Sequence, residues 1–267
     1  MKRGLIGVVL ASLVGLDVVE SAAADFPEVK AQGKLRILSA APGESYIALT
    51  SGGQVVGLEG ELLRSFAQLH RLALEIVEVK GWDLLIPALL EGKGDLVAGN
   101  LTDTAQRRER VHFTAQVLPT RLVVVTRRPH AIIRTLDEFR RERVGTIRGT
   151  SMADAIIAAG VPRSNIDDTL PQDARISARL GSAAFTAAVE EVAVAMLLAR
   201  ADPELQLGMF LGPAGSLAWA VRKEDVQLRQ ALNDYIGNAR RTATWSRLVV
   251  KYYGEPALEI LRSARGE

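Results

Sequence analysis

Apolar and polar positions along this chain follow two periods, and each period predicts a different kind of element. Lys34–Ser39 and Ala73–Val79 carry the short apolar or alternating pattern of strands, whereas Leu58–His70 spaces its apolar residues as a helix does. Ser51-Gly52-Gly53 separates two short apolar runs and indicates a hairpin turn. The later predicted elements are, in chain order, a helix at Trp82–Leu90, strands at Asp95–Ala98 and Leu122–Thr126, a helix at Thr135–Arg141, a strand at Val144–Ile147, a helix at Ser151–Ala159, a strand at Ala183–Val189, a helix at Glu191–Ala201, a strand at Leu217–Val221 and a largely helical segment at Val226–Tyr253.

This order of elements predicts an α/β protein. Strands that alternate with helices favour a largely parallel sheet, and the pattern occurs twice along the chain. Each α/β unit is short for an independent domain, so we expect two units that form one molecule. Ligands of such proteins bind between domains or outside the carboxyl ends of the strands.

The N-terminal segment has the pattern of a secretory signal peptide. Lys2 and Arg3 precede an apolar run at Gly4–Leu16, and the small residues Ala22-Ala23-Ala24 follow. The apolar run is shorter than the roughly 20 residues that a membrane-spanning helix needs. We therefore expect residues 1–24 to be removed after Ala24 and the mature chain to be a soluble periplasmic protein.

Composition argues against several functional classes. The 33 Lys and Arg residues nearly balance the 31 Asp and Glu residues, and only 5% of the residues are aromatic. An even charge balance with few aromatic side chains argues against nucleic acid as a partner. The chain has no cysteine, which excludes disulfides, thiolate metal sites and a cysteine nucleophile.

The motifs of common enzymes and cofactor sites are missing from the sequence. It contains no GxGxxG after a strand, no phosphate-binding GxxxxGK[ST] and no GxSxG. His70, His112 and His130 are scattered and do not have the spacing of metal ligands. We therefore expect no cofactor, no metal ion and no enzymatic activity.

The segment Asp95–Phe113 carries the strongest candidate for an anion site. Its predicted strand is followed by the polar residues Asn100 and Thr102, and Thr104 is placed to cap a short helix. Backbone N–H groups at a helix start attract a carboxylate, and Arg107 in the first turn adds a guanidinium that grips the same anion. The alternative interpretation is that this arginine and its arginine neighbours form a solvated helical face.

A second helix start lies at Gly145–Ser151. Gly149 allows a close backbone approach, Thr150 and Ser151 offer hydroxyl groups, and Ser151 with Asp154 fits a capping box. These features favour a wall of the same ligand site. The alternative interpretation is an ordinary capped helix.

The motifs in and around these segments resemble the bacterial periplasmic solute-binding proteins of family 3, which serve polar amino-acid ABC transporters. The resemblance covers roughly residues 35–126 in order and spacing, and the C-terminal helices extend it to nearly the whole predicted mature chain. The chain also resembles the amino-terminal sensor module of membrane-bound lytic transglycosylases, without their lysozyme-like catalytic domain, so cell-wall cleavage is not carried over. The motifs that carry the resemblance are Gly57-Leu58-Glu59, Gly81-Trp82-Asp83, Pro87-Ala88-Leu89, Gly92-Lys93-Gly94-Asp95-Leu96, Thr104, Arg107, Val111-His112-Phe113 and Gly149-Thr150.

The resemblance implies a two-lobed fold of the type II periplasmic-binding-protein kind, with two crossing hinge strands. Lobe 1 is expected to comprise residues 25–126 and 217–267, and lobe 2 residues 127–216. The crossings are expected near Thr126–Pro129 and Ser216–Ala218. Closure of the two lobes around a small ligand is the mechanism that this architecture implies.

The resemblance also implies a set of ligand-binding residues. Arg107 falls on the carboxylate-binding arginine of the family. Asn100 and Thr102 fall on polar positions of the pocket, and Glu190 falls on the acid that binds the ligand ammonium, with Glu191 as the alternative if the alignment shifts by one residue. The other implied positions are Trp82 as a wall, Tyr46 as the aromatic cover, and Thr150 and Ser151 as carboxylate contacts of the second lobe.

Two departures from the family pattern change the expected ligand. Ser39-Ala40-Ala41 stands where many members have an acid, and Glu59 stands where an aspartate is usual. These departures favour a ligand with a carboxylate and a less demanding cationic end.

The resemblance implies that a monomer captures a small carboxylate-bearing solute, an amino acid or a related compound, for an ABC permease in the inner membrane. Two alternatives remain open. One is a sensing or accessory binding module that is not coupled to transport. The other is an enzyme like cyclohexadienyl dehydratase, in which Glu190 or Glu191 donates a proton.

Overall fold

The computed structural model describes residues 25–40, 48–49, 55–170, 180, 185–255 and 257–265. Strands and helices alternate through most of these ranges, as the hydrophobic periods predict. Among the described residues, no helix combines the length and the apolar character needed to cross a membrane.

The elements have the following bounds. The strands are β1 (Lys34–Ser39), β2 (Ala48–Leu49), β3 (Val55–Val56), β4 (Ala73–Glu78), β5 (Leu96–Val97), β6 (His112–Phe113), β7 (Leu118–Arg127), β8 (Val144–Gly145), β9 (Ile166–Asp167), β10 (Ala187–Glu191), β11 (Leu205–Leu217) and β12 (Ala220–Val221). The helices are α1 (Phe26–Gln32), α2 (Leu58–Leu69), α3 (Leu85–Leu90), α4 (Ala105–Arg108), α5 (Leu136–Phe139), α6 (Ser151–Ala158), α7 (Val192–Ala201), α8 (Val226–Arg241), α9 (Thr244–Tyr253) and α10 (Ala257–Ala264), with short 3-10 turns at Trp82–Leu84 and Arg163–Asn165.

The first sheet has the strand order β4-β1-β5-β12-β6. β1 pairs in parallel with both β4 and β5. Helix α2 lies in the connection from β1 to β4, and α3 lies in the connection from β4 to β5. β12 pairs antiparallel with β5 and β6 and so returns the C-terminal part of the chain to this sheet. Because parallel strands need long crossover connections, this arrangement explains the alternation of strand and helix.

The second sheet has the strand order β11-β7-β10-β8-β9. β8 pairs in parallel with β9 and β10, while β7 pairs antiparallel with β10 and β11. β11 is 13 residues long and was not predicted, because glycines and a proline interrupt the apolar pattern of its second half. We refer to each five-stranded sheet with its helices as the first and the second lobe.

The crossing between the lobes lies earlier than the sequence suggested. We expected lobe 1 to extend to residue 126, with the crossing near Thr126–Pro129. Instead, β7 pairs within the second sheet along its whole length, from Leu118 opposite Leu217 to Arg127 opposite Leu205. The Val117 N–H donates to the Leu217 carbonyl oxygen at 2.8 Å. The two crossing segments therefore run side by side at about residues 117 and 217, because β7 is recruited by long-range pairing.

Other predicted boundaries also shift. Leu217–Val221, predicted as one strand, is divided between the end of β11 and β12, because the chain changes sheets there. Val226–Tyr253 forms two helices that are separated at Ala243, whose φ of 57° is left-handed. β2 and β3 pair as the predicted hairpin, whereas its turn Ser51-Gly52-Gly53 lies outside the described residues.

Helix α2 shows how the apolar pattern is used in packing. Leu62, Leu63 and Phe66 are buried, and the Phe66 ring lies 5.6 Å from the Tyr235 ring, centroid to centroid. Leu69 shares the predicted spacing but is 66% exposed, so the packed face of the helix ends before its last residue. The same helix also buries the carboxyl group of Glu59, which is 2% exposed.

Candidate functional site

A cleft that is partly open to solvent lies where the two lobes face each other. Most of the side chains predicted for the ligand site line it. Tyr46 lies outside the described residues, and Glu190 is not among the lining residues. The lining residues are Trp82, Asn100, Thr102, Arg107, Thr150, Ser151, Met152 and Glu191.

Arg107 is the cation of the first-lobe wall. The Thr104 side chain caps α4 and accepts a hydrogen bond from the Arg107 backbone N–H at 3.3 Å. One guanidinium nitrogen donates to the Thr102 carbonyl oxygen at 2.8 Å, which fixes the direction of the side chain. Burial lowers the pKa of this guanidinium, while the charges of Asp154 and Glu191 oppose that shift. The cap and the carbonyl contact thus hold a desolvated cation at the cleft.

The neighbouring arginines of α4 and its C-terminal end behave differently. Arg108 and Arg110 are exposed. Arg108 makes two hydrogen bonds with the Asp103 carboxylate, at 2.6 and 2.7 Å. The solvated-face interpretation therefore describes these two residues but not Arg107.

The turn at Gly99 and Asn100 joins the end of β5 to Thr102. Asn100 has a φ of 69°, a left-handed conformation that costs energy for a residue with a side chain. Its side-chain Oδ1 is buried and has no hydrogen-bond partner. This oxygen is therefore an acceptor that a ligand donor can satisfy.

The start of α6 forms the second-lobe wall, with a different cap from the one predicted. Thr150, not Ser151, is the N-cap, and its hydroxyl accepts from the Ala153 N–H at 3.3 Å and donates to the Ile147 carbonyl oxygen at 2.7 Å. The capping box of Ser151 with Asp154 is therefore wrong, because Thr150 is the residue with extended backbone angles. Ser151 instead places its hydroxyl 3.0 Å from the Thr102 hydroxyl of the first lobe.

Glu191, rather than Glu190, is the acid of the cleft. Successive strand residues point to opposite faces, so the structure selects one of the two adjacent glutamates. Glu191 is 1% exposed and accepts hydrogen bonds from the hydroxyls of Thr102, at 2.8 Å, and Thr120. Burial raises the pKa of Glu191, although both hydroxyls and the Arg107 charge oppose the shift. Sequence analysis gave Glu190 as the position implied by the family resemblance, and Glu191 as the alternative if the alignment shifts by one residue.

Two residues of the site were missed by sequence reasoning. Met152 follows Ser151 on α6 and lines the cleft, and the helix start at Gly145–Ser151 was a signal for its position. Thr120 contacts Glu191 from β7, and no sequence signal pointed to it because β7 reaches the site through sheet pairing.

The arrangement suits the binding of a small polar anion. A guanidinium, an amide oxygen without a partner, hydroxyl groups and a buried acid line the cleft together with the side chains of Trp82 and Met152. Thr102 connects the lobes, because its hydroxyl lies near both Ser151 and Glu191. Within the described ranges, no three His, Asp or Glu side chains form a cluster that would hold a metal ion.

Comparison with known protein families identifies the family of this chain. The family of bacterial extracellular solute-binding proteins, family 3, matches residues 35–255. The chain belongs to this family. The match includes both lobes and every described residue that lines the cleft.

Two kinds of protein are represented among the relatives of this family-3 protein. Membrane-bound lytic murein transglycosylase F of Desulfosudis oleivorans is 24% identical over 229 residues, which is 85% of this chain and 50% of the relative. The histidine-binding periplasmic protein of Escherichia coli is 26% identical over 212 residues, which is 76% of this chain and 81% of the relative. The chain thus spans about half the length of the transglycosylase that it matches.

Solved structures confirm the two-lobed periplasmic-binding fold of this family-3 protein. A variant of ArgBP from T. maritima superposes with a TM-score of 0.76 at 22% identity, covering 86% of this chain and 99% of that one. An ancestral amino acid-binding protein, a precursor of cyclohexadienyl dehydratase, superposes with a TM-score of 0.76 at 22% identity, covering 85% of this chain and 98% of that one.

Proposed function

We propose that this family-3 protein captures a small carboxylate-bearing solute, an amino acid or a related compound, in the periplasm and delivers it to an ABC permease. The observation that carries this proposal is the position of Arg107. Its guanidinium is half-buried at the cleft, and one nitrogen is held by the Thr102 carbonyl oxygen. A desolvated guanidinium with the remaining donors available is a strong partner for a carboxylate.

The opposite end of the ligand is expected to carry hydrogen-bond donors. Asn100 Oδ1 is a buried acceptor without a partner, and Glu191 is a buried acid in the same cleft. Both groups suit an ammonium, and a neutral donor suits Asn100 as well. An amino acid meets these requirements, and so does a relative with a less basic group.

Ligand capture would proceed by closure of the lobes. Thr102 and Arg107 belong to the first lobe, whereas Ser151 and Glu191 belong to the second. A ligand that contacts both sets favours the closed state by the difference between its affinities for the closed and open states. Small-angle scattering is expected to show a smaller radius of gyration at saturating ligand, and an unchanged radius from an open ligand-free state would contradict the clamp.

A thermal-shift screen tests the binding function directly. The purified chain is heated with each of the standard amino acids and with a set of small mono- and dicarboxylates. A true ligand at 100 times its dissociation constant is expected to add about 2.7 kcal/mol of stability. Calorimetry then measures the affinity, and absence of binding to every carboxylate would refute the proposal.

A sensing or accessory role is the second candidate, and the match to half of a transglycosylase supports it. Transport and sensing differ in what deletion of the gene does to the cell. If the protein serves transport, the deletion strain loses uptake of the radiolabelled ligand found by the screen. If uptake is unchanged in the deletion strain, the sensing role is favoured.

Dehydratase activity is the third candidate, and the buried acid Glu191 favours it. A general acid needs a pKa raised towards the working pH, and burial shifts the pKa of Glu191 in that direction. Turnover of arogenate or prephenate that disappears in Glu191→Gln would establish catalysis. Binding of these compounds without turnover would leave a solute-binding function.

A further inference from the structure

A buried carboxylate lies behind the first-lobe wall of the cleft without being one of its lining residues. Glu59 is 2% exposed, and it receives three hydrogen bonds. Oε2 accepts from the Gly99 N–H at 3.0 Å and from the Trp219 indole N–H at 2.7 Å. Oε1 accepts from the Asn100 N–H at 2.8 Å.

All three of these partners are N–H donors, so the Glu59 carboxylate is the shared acceptor that satisfies them. A carboxylate removed from water is costly unless hydrogen bonds replace its hydration. Burial raises the pKa of Glu59, while the three donors oppose that shift. The carboxylate and the three N–H groups therefore hold one another in place, since each would otherwise be a buried polar group without a partner.

One of these contacts involves a left-handed residue of the ligand site. Asn100 has a φ of 69°, a conformation that asparagine tolerates better than most non-glycine residues but that is still less favourable than the right-handed regions. The hydrogen bond from the Asn100 N–H to Glu59 stabilises this conformation. It determines where the side chain of Asn100, with its unpartnered Oδ1, stands in the cleft.

The contact to Trp219 connects the same turn to the segment in which the chain returns to the first lobe. Two backbone hydrogen bonds run alongside it, from the Ala218 N–H to the Leu101 carbonyl oxygen at 3.1 Å and from the Asp103 N–H to the Ser216 carbonyl oxygen at 2.9 Å. The position of the turn is thus coupled to the crossing segment.

We propose that Glu59 is a positioning residue of the ligand cleft, which holds the Gly99–Asn100 turn in its left-handed form and fixes it to Trp219. The effect on affinity rests on the proposed binding function. The effect on the turn itself does not, and the two can be measured separately.

The variant Glu59→Gln is expected to remove one of the three hydrogen bonds and to keep the other two. The glutamine amide has one acceptor oxygen, and its nitrogen is a donor. If the oxygen takes the place of Oε2, the contacts to Gly99 and Trp219 persist, and the amide nitrogen faces the Asn100 N–H donor. The reverse orientation leaves two donors without an acceptor. The first orientation is therefore favoured, and Asn100 alone loses its contact.

Amide hydrogen exchange measured by NMR tests this on the ligand-free protein. In Glu59→Gln, the Asn100 N–H is expected to exchange at least about tenfold faster, while the Trp219 indole N–H changes little. The matched control is Glu61→Gln on the same helix, because Glu61 contacts Lys251 and Tyr252 instead of the turn. Equal acceleration of the turn and indole protons would indicate a merely structural role and overturn the proposal, as would no change.

A second measurement uses the wild-type chain and stands even if Glu59→Gln does not fold. The Gly99 and Asn100 amides and the Trp219 indole all donate to one carboxyl group. Their NMR signals are therefore expected to shift with a single common midpoint during an acid titration of the folded protein. Three independent midpoints would overturn the shared contact.

A double-mutant cycle then tests the effect on binding, with L-histidine and L-arginine as the probes. Glu59→Gln is expected to weaken binding about tenfold in the wild-type background and less than threefold in Asn100→Gly, where glycine accepts a positive φ without strain. Equal losses in both backgrounds would show that Glu59 does not act through Asn100. If neither probe binds the wild type, these two ligands are excluded, and the exchange experiment still decides the role of Glu59.

Discussion

Replacement of Arg107 by alanine tests the central contact of the proposed ligand site. The guanidinium is half-buried, its backbone is capped by Thr104 and one nitrogen is held by the Thr102 carbonyl oxygen. A hydrogen bond between charged groups contributes roughly 1.5–3 kcal/mol, and a ligand carboxylate left desolvated without a partner costs more. We therefore expect Arg107→Ala to weaken binding at least about tenfold.

The effect on folding is expected to be much smaller. Within the described part of the chain, the hydrogen bond of the Arg107 side chain is the one to the Thr102 carbonyl oxygen. Its loss corresponds to about 1 kcal/mol of unfolding free energy. Urea unfolding measures this change, and calorimetry with the ligand from the thermal-shift screen measures the affinity.

The chain supplies its own controls for this experiment. Arg108→Ala and Arg110→Ala remove the same charge from exposed positions of the same segment, so we expect little change in affinity. Arg107→Lys is expected to recover only part of the affinity, because an ammonium keeps the charge but loses the planar two-pronged contact. Equal and small effects for all three alanine variants would refute the assignment of Arg107 as the carboxylate contact.

Three further predictions concern closure, stability and export. Gly149 has a φ of 79°, and a Cβ there would lie 3.1 Å from Asp83 Cβ of the first lobe. Gly149→Ala is therefore expected to weaken ligand binding more than Gly212→Ala, which has a similar φ but open space around it, and equal affinities by calorimetry would contradict a close approach of the lobes. Burial raises the pKa of Asp225 to about 6, although the charge of its ion-pair partner Arg222 opposes the shift. Between about pH 4 and 6 the folded state therefore binds more protons than the unfolded state, and the free energy of unfolding is expected to fall as the pH rises through this range, relative to Asp225→Asn; parallel pH profiles of the two proteins in urea unfolding would contradict the shift. Mass spectrometry of periplasmic protein is expected to find Asp25 as the first residue, and an intact Met1 would refute the predicted cleavage.

Local sequence patterns were sufficient for the class of fold and for much of the first-lobe wall. The apolar periods predicted the strand–helix alternation, and the polar residues after a short strand predicted Asn100, Thr102 and Arg107, which the structure places around one cleft. Thr104 was predicted as the cap of α4, and its side chain accepts the hydrogen bond that a cap requires. These features depend on neighbours within a few residues, which a single sequence displays.

Contacts between distant segments could not be read from the same patterns. The sheet to which β7 belongs depends on pairing with β10 and β11, so the crossing appeared about ten residues too late in the sequence interpretation. The choice between Glu190 and Glu191 also depends on register, since a shift of one residue turns a strand side chain to the opposite face. Thr120 reaches the cleft only because this pairing places it beside Glu191.

The sequence by itself determined the α/β class, the Thr104 cap of α4 and the charged group of that helix, Arg107, because each follows from the physical chemistry of a short segment. The tertiary structure alone decided which acid enters the cleft and which carboxylate lies buried behind it. Glu59 and Glu61 are both acidic residues in the first turn of α2, and the sequence around them does not show which of the two is buried. Burial against Gly99, Asn100 and Trp219, up to 160 residues away in the chain, is what makes it different.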